Sequence, residues 1–248
     1  MFGRSKKSKV DGRWVRLVEP VERGDLRDPR VPLEYMEARR SEVLRSFGVF
    51  APGLDSQDPA QVERSSGGMS LRLYDLVFVS YSAGDSIRDL RRIAGEAIRW
   101  NCDPVRELES LNMYQDFVRL AGVAQLLGLD DELVLLQEVL ERIPVGERDL
   151  IIESLVLGKS TAATNDFRFG FKEFAQVLAT SDRDAAATLL KEFVQKRWYQ
   201  SHSGNSWHGS HIKEYYVGYW CFEGAGIAKI LGFDALTWDI DYWPADLL

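Results

Sequence analysis

The chain has 248 residues, 45% of them hydrophobic, enough for one large domain or two small ones with a sizeable core. Its net charge of −7 is unevenly spread: residues 1–30 carry nine Lys/Arg against five Asp/Glu, and the remainder carries 22 against 33. An acidic body argues against nucleic acid as the main partner, because phosphate binding needs the opposite sign, and suits either a basic protein partner or simple solubility.

The opening MFGRSKKSKVDGRW is basic and has no apolar h-region, which predicts a cytoplasmic protein rather than a secreted one. Cys102 and Cys221 stand far apart in apolar helical contexts without a CxxC spacing, so both are expected as buried free thiols. No run is apolar and long enough to span a membrane.

In chain order, residues 1–30 mix charge with Gly and Pro and predict a mobile basic arm. LEYMEARRSEVLRSF, residues 33–47, places Leu33, Met36, Val43, Leu44 and Phe47 on one helical face. Residues 51–70, rich in Pro, Gly, Ser and Asp, predict a linker. Leu71–Ser82 is β-branched enough for a strand, but no partner strand exists, so a helix is expected, stopped by Gly84. Asp85 or Ser86 then caps the next helix, and Asp103-Pro104 opens a long one from Val105 to Leu127. Asp130 or Asp131 caps a helix ended by Pro144.

Helices are further expected at Glu147–Leu157, Phe167–Ala179 and, capped by Ser181, through to about Gln200. GKST at residues 158–161 lacks the upstream glycine of a phosphate loop, since position 153 is Glu. The most apolar stretch, Glu214–Asp234, reads as a central core helix with a small-residue stripe of Gly218, Cys221, Ala225, Ala228 and Gly232. Trp238, Tyr242 and Trp243 in the tail are expected to pack back on the core. The whole reads as an all-α compact bundle of about eight to ten helices, with an arm at 1–30 and two related halves, 31–143 and 144–248, sharing one core.

The relation between halves rests on a repeat. AGVAQLLGLD at residues 121–130 and AGIAKILGFD at residues 225–234 agree at six of ten positions. In this register Arg119 aligns with Glu223, an acid inside an apolar run that needs a partner if buried. The two repeat helices are expected to pack through their small faces, with Arg119 neutralising Glu223.

Chemistry-bearing constellations are sparse. His202, His208 and His211 fall within ten residues and could hold zinc, which leaves a metal-dependent helical hydrolase as an alternative function. The spacing is not that of HExxH, however, and a hydrogen-bonded loop is the default. No G-x-S-x-G elbow is present. A self-associating scaffold, for instance a homodimer, is the other alternative. Any exposed Trp would be an interface anchor candidate.

The stretch YYVGYWCFEGAGIAKILGFD, with RWYQSH before it and DYWPADLL after it, resembles the C-terminal half of PoNi-type immunity proteins. VSYSAGDSIRDLRRIAGEAI and LAGVAQLLGLDDE are similar to their N-terminal half, so the resemblance covers about residues 33–248. Arg119, Gly218, Trp220, Glu223, Ala225, Ala228 and Gly232 carry the recognisable pattern; Gly224 and Gly226 stand where more alanine is expected. The resemblance implies an all-α, non-enzymatic antidote without cofactor or metal, which protects a bacterium from a cognate DNase toxin of the PoNe class. A nuclease cleft is basic, so exposed acids near the repeat ends are the candidate toxin-binding residues: Asp130, Asp131, Glu132, Asp234, Asp239, Asp241 and Asp246.

Overall fold

A computed structural model describes residues 22–102, 111–159, 171–205 and 207–248. The fold is all-α, as expected, and the chain divides into two compact units. One takes the residues up to Trp100 together with Ser210–Gly218; the other takes Asn101–Gly209 and Tyr219–Leu248. This division does not follow Pro144: both copies of the repeat fall in the second unit.

In the first unit, α1 (Leu33–Leu54) and α2 (Pro59–Ser82) form a helical hairpin. Met36, Val43 and Phe47 on α1 and Met69, Leu73, Leu76 and Val77 on α2 supply its apolar faces, each at helical spacing. The expected linker at 51–70 is therefore helical except at 55–58. Asp58 caps α2 by accepting from Ala60 N–H at 3.0 Å, and Pro59 takes the first helical position. Composition hid that start signal. Ser86 Oγ accepts from Asp89 N–H at 3.2 Å and so caps α3 (Ile87–Asn101).

Residues 22–30, expected as part of a mobile arm, are instead tied to the turn between α2 and α3; residues 1–21 lie outside the described residues. Gly24 N–H donates to the Gly84 carbonyl at 2.8 Å, and Arg27 donates to the carbonyls of Tyr81 and Asp85 at 3.0 Å. Arg23 and Arg40 flank the fully buried Asp85 at 3.2 and 3.3 Å. Asp28, equally buried, pairs with Arg30 at 2.6 Å and accepts from the Tyr216 hydroxyl at 2.6 Å. Buried carboxylates need such partners: Asp85 draws Arg23 and Arg40 from distant sequence, whereas Asp28 takes Arg30 two residues on and the distant Tyr216.

The second unit contains α4 (Leu111–Leu127), α5 (Asp130–Arg142), α6 (Leu150–Leu157), α7 (Lys172–Ala179), α8 (Arg183–Phe193) and α9 (Phe222–Ile230). The start expected for α4 at 103–110, residues 160–166 and the 167–170 start of the helix expected over Phe167–Ala179 lie outside the described residues. Two caps differ from expectation. Asp182, not Ser181, caps α8, accepting from Asp184 and Ala185 N–H at 3.0 and 2.9 Å. Leu129 holds the cap position of α5 without a side-chain bond, so Asp130 and Asp131 lie in its first turn, where the helix dipole favours acids. α6 begins at Leu150 rather than Glu147, because Asp149 accepts from Ile151 and Ile152 N–H, both at 3.0 Å.

The expected central helix over Glu214–Asp234 is corrected to nine residues, Phe222–Ile230. Gly218 adopts φ +109°, which no continuing helix tolerates, and the chain passes from one unit to the other between Gly218 and Tyr219. The aromatic half of the stretch thus fills two cores instead of flanking one helix: Tyr216 is buried in the first unit, Tyr219 and Trp220 in the second.

α4 and α9 pack directly, and their contacts keep the register of the repeat. Arg119 meets Glu223, Gly122 meets Gly226, and Lys229 Nζ donates to the Leu126 carbonyl at 2.9 Å, so the helices run parallel. A Cβ at Gly226 would sit 2.8 Å from Gly122 Cα and 3.0 Å from Leu155 Cδ2. One at Gly122 would run into the Phe222 carbonyl and lie 2.9 Å from Glu223 Cα. The glycine at 226, where alanine was expected, is what lets the backbones touch. Both helices end alike. Gly128 and Gly232 take φ of +61° and +66°, and Leu129 and Phe233 N–H donate back to Ala124 and Ala228 at 3.0 and 2.9 Å. This is a Schellman ending in each copy.

Substituting Gly122→Ala should therefore destabilise the second unit by about 2–3 kcal/mol through overpacking against backbone. Gly48→Ala, at an exposed position of α1 with nothing within 4 Å, should stabilise its unit by about 0.5–1 kcal/mol. Urea denaturation midpoints of the two variants check the contrast.

Candidate functional site

At the N-terminal end of the α4–α9 pair, Glu223 is fully buried. Trp198 Nε1 donates to its Oε1 at 2.7 Å, and Arg119 Nε stands 3.8 Å from its Oε2, an ion pair too long for a hydrogen bond. Burial pushes the Glu223 carboxyl above its usual range, while Arg119 and the Trp198 bond pull it down. The Arg119 guanidinium also covers the Trp207 ring at 4.8 Å. One buried acid thus orients two tryptophans, one directly and one through arginine.

Trp198 closes a π-helical turn, Val194–Trp198, that continues α8 and is followed by one last turn, Tyr199–Ser201. The turn buries Val194 and Trp198 and exposes Gln195, Lys196 and Arg197. Around it Tyr199, Trp207, His208 and Tyr242 are half-buried, and Trp207 meets His208 tilted at 6.5 Å. Tyr199 stacks on Tyr242 at 5.1 Å and 12°, and on His208 at 4.2 Å and 25°. Trp207 stacks on Trp198 at 6.0 Å and 29°. The tail is pinned here as expected: Cys221 N–H donates to the Tyr242 carbonyl at 2.8 Å, and Trp243 Nε1 donates to the Ala235 carbonyl at 2.9 Å.

The three histidines occupy different surroundings. His202 is buried, and its Nδ1–H donates to the Trp198 carbonyl at 2.7 Å, a tautomer set by that acceptor. His208 stacks on Tyr199, whereas the exposed His211 belongs to the first unit and meets Tyr216 edge-on. Among the described residues no group of three His, Cys, Asp or Glu side chains is gathered as a metal ion requires. The hydrolase alternative therefore has no geometric support. Cys221 is buried and free as expected; Cys102 is only half-buried, its thiol pushed up to about 12 by desolvation.

The candidate acids do not form one patch. Asp130, Asp131 and Asp234 are exposed at the C-terminal end of the parallel α4–α9 pair. Glu132 is buried and leaves that set. Asp239, Asp241 and Asp246 are exposed farther along the tail. Asp241 adjoins Tyr242, which is tied to the N-terminal end of α9, about 13 Å from Asp234 along a nine-residue helix. Trp220, Ala225 and Ala228 are buried, and Gly218 and Gly232 are backbone hinges, so these pattern residues are structural. Sequence reasoning missed the Tyr199–Trp207–Tyr242 face. The signal available was aromatic residues in the otherwise polar segments QKRWYQSH and SGNSWHGS.

Burial, the nearby Arg119 charge and His208 lower the His202 pKa to about 3, against a bond to Trp198 that raises it. The unfolded chain takes up this proton below about pH 6.5 and the folded one refuses it, so stability is full above 6.5 and falls as pH drops toward 3. Between pH 7.5 and 5 the loss from this group should be about 2 kcal/mol. H202Q should flatten the difference, as measured by denaturation at the two pH values.

Residues 148–247 match the family model for PoNe immunity proteins (PoNi), C-terminal. No curated protein matches the sequence. Among solved structures, the crystal structure of protein PA2201 from Pseudomonas aeruginosa aligns with a TM-score of 0.66 at 16% identity, over 100% of this chain and 96% of that one. At that identity the likeness establishes a shared fold. The family match spans the π turn, Trp207, α9 with Glu223 and the tail, so this part of the chain is similar to the C-terminal domain of PoNe immunity proteins.

Proposed function

We propose that this chain binds and inhibits a DNase toxin of the PoNe class in the cytoplasm, without catalysis of its own, through acidic surface laid over the basic cleft that holds phosphate. The observation that carries this reading is the exposed acid set at the C-terminal end of the repeat pair. Two parallel helices with matching Schellman endings direct Asp130 and Asp131 and, equivalently, Asp234 away from the same end of the second unit. No base follows Lys229 in the sequence, so the tail carries Asp239, Asp241 and Asp246 and no basic residue of its own. Charge of this sign accelerates encounter with a basic nuclease and disfavours nucleic acid as a competitor. No helix among the described residues is long and apolar enough to cross a membrane.

Co-expression with the toxin encoded beside this gene tests the role. Growth should be rescued and the nuclease should co-purify with the chain; continued killing would refute the reading. Reversing Asp130, Asp131 and Asp234 together to Lys should slow association about tenfold at low salt and flatten its salt dependence. Unchanged association kinetics would remove that end of the helix pair from the contact. A self-associating scaffold would show neither rescue nor a charge-dependent rate.

A further inference from the structure

Acids account for speed of encounter, but they do not supply the short-range contacts that hold a complex together. Exposed carboxylates lose most of their pairing energy to water, whereas residence time is set by a few large, well-packed side chains, above all Trp, Tyr and Arg. The second unit has one face with that composition. We propose that the half-exposed aromatic face of Tyr199, Trp207, His208 and Tyr242 is the anchor of the toxin contact, and that it takes an arginine- or lysine-bearing segment of the nuclease surface. The proposal rests on the reading of this chain as a toxin inhibitor.

Three observations support the face. Its rings are already locked together: Tyr199 is stacked between Tyr242 and His208, and Trp207 lies against Trp198 and, at 5.2 Å, Tyr219. Ordering entropy is therefore spent on folding and not on binding. The face is built on a π turn, an irregularity that occurs frequently at functional sites because it re-aims a helix's side chains. Its orientation is fixed from below by Glu223, through Trp198 and through Arg119 over Trp207. A fully buried carboxylate is a costly support, and it holds Trp198, against which Trp207 and Tyr242 lie.

Charge selects the occupant. Asp241 adjoins Tyr242 and Asp239 lies two residues before it; both are exposed, and no base follows Lys229. The exposed bases of the π turn are engaged: Lys196 with Glu192 at 3.3 Å and Arg197 with Glu173 at 3.6 Å. Exposed carboxylates beside half-buried aromatic edges favour a guanidinium or ammonium group, which can pair with an acid while its apolar stem packs on the ring edges. Such groups abound on a nuclease that grips DNA phosphates.

Interferometry with the purified nuclease domain of the neighbouring toxin tests the assignment. Trp207→Ala should raise the dissociation rate at least 30-fold and change the association rate less than threefold, while W207F stays within about fivefold of wild type. Asp239→Lys with Asp241→Lys, both at exposed positions, should weaken binding about tenfold or more. Circular dichroism melting establishes that each variant folds, and if Trp207→Ala does not, the double aspartate variant decides. Wild-type dissociation rates in folded variants would overturn the anchor and leave the inhibitor reading intact. A wild-type chain that does not bind the nuclease would sink both.

Discussion

The approach of α4 to α9 is the constraint on which the second unit depends. Two backbones can touch at Gly122 and Gly226 only in one register, and that register pairs Arg119 with Glu223 at one end and aligns two Schellman endings at the other. A buried ion pair adds little net stability, since desolvation consumes most of its attraction. Its effect is selective: a slip of one turn, about 5 Å, would leave two charges buried and alone. The glycines permit contact, and the charges forbid every alternative to it.

From this pair the two kinds of surface are hung. At the C-terminal end the chain leaves each helix through a left-handed glycine and presents aspartate to solvent; at the N-terminal end the buried acid organises tryptophans. In the proposed contact, the aspartates that follow α4 and α9 and the aromatic face therefore come from opposite ends of one helix pair. Separation of the two lets an inhibitor tune speed of capture and length of residence through different residues.

Much of this was legible in the sequence, and the failures have physical causes. The repeat was visible because Gly-apolar-Asp after an apolar helix is a local signal, and aligning the copies correctly matched Arg119 with Glu223. The helix at 59–82 is obscured in the sequence although Asp58-Pro59 carries the same start signal as Asp103-Pro104; exposed Ser and Gly on a helix face look like linker when composition is read without period. The length of the central helix was overstated because aromatic spacing over 215–222 suits a helix, and only backbone geometry reveals Gly218 at positive φ. Glu132 was grouped with its acidic neighbours because sequence does not tell which side of a helix faces the core. The aromatic face was out of reach for a related reason: it joins residues 199, 207 and 242 through ring contacts across a turn, a loop and a tail.

The thread of the chain between units has a temporal consequence. The first unit is not finished by its first 100 residues: it takes back Ser210–Gly218, from which Tyr216 bonds the buried Asp28 and Val217 accepts from Ser82. At a synthesis rate of roughly 5–20 residues per second, about 6–24 s separate Trp100 from Gly218 on the ribosome. Until then Asp28 has no Tyr216 hydroxyl to accept from, and the unit that begins first must wait for a segment made near the end of the chain. A chain interrupted before Ser210 lacks the segment that completes its first unit, so the two units are interleaved in the order of synthesis as well as in sequence.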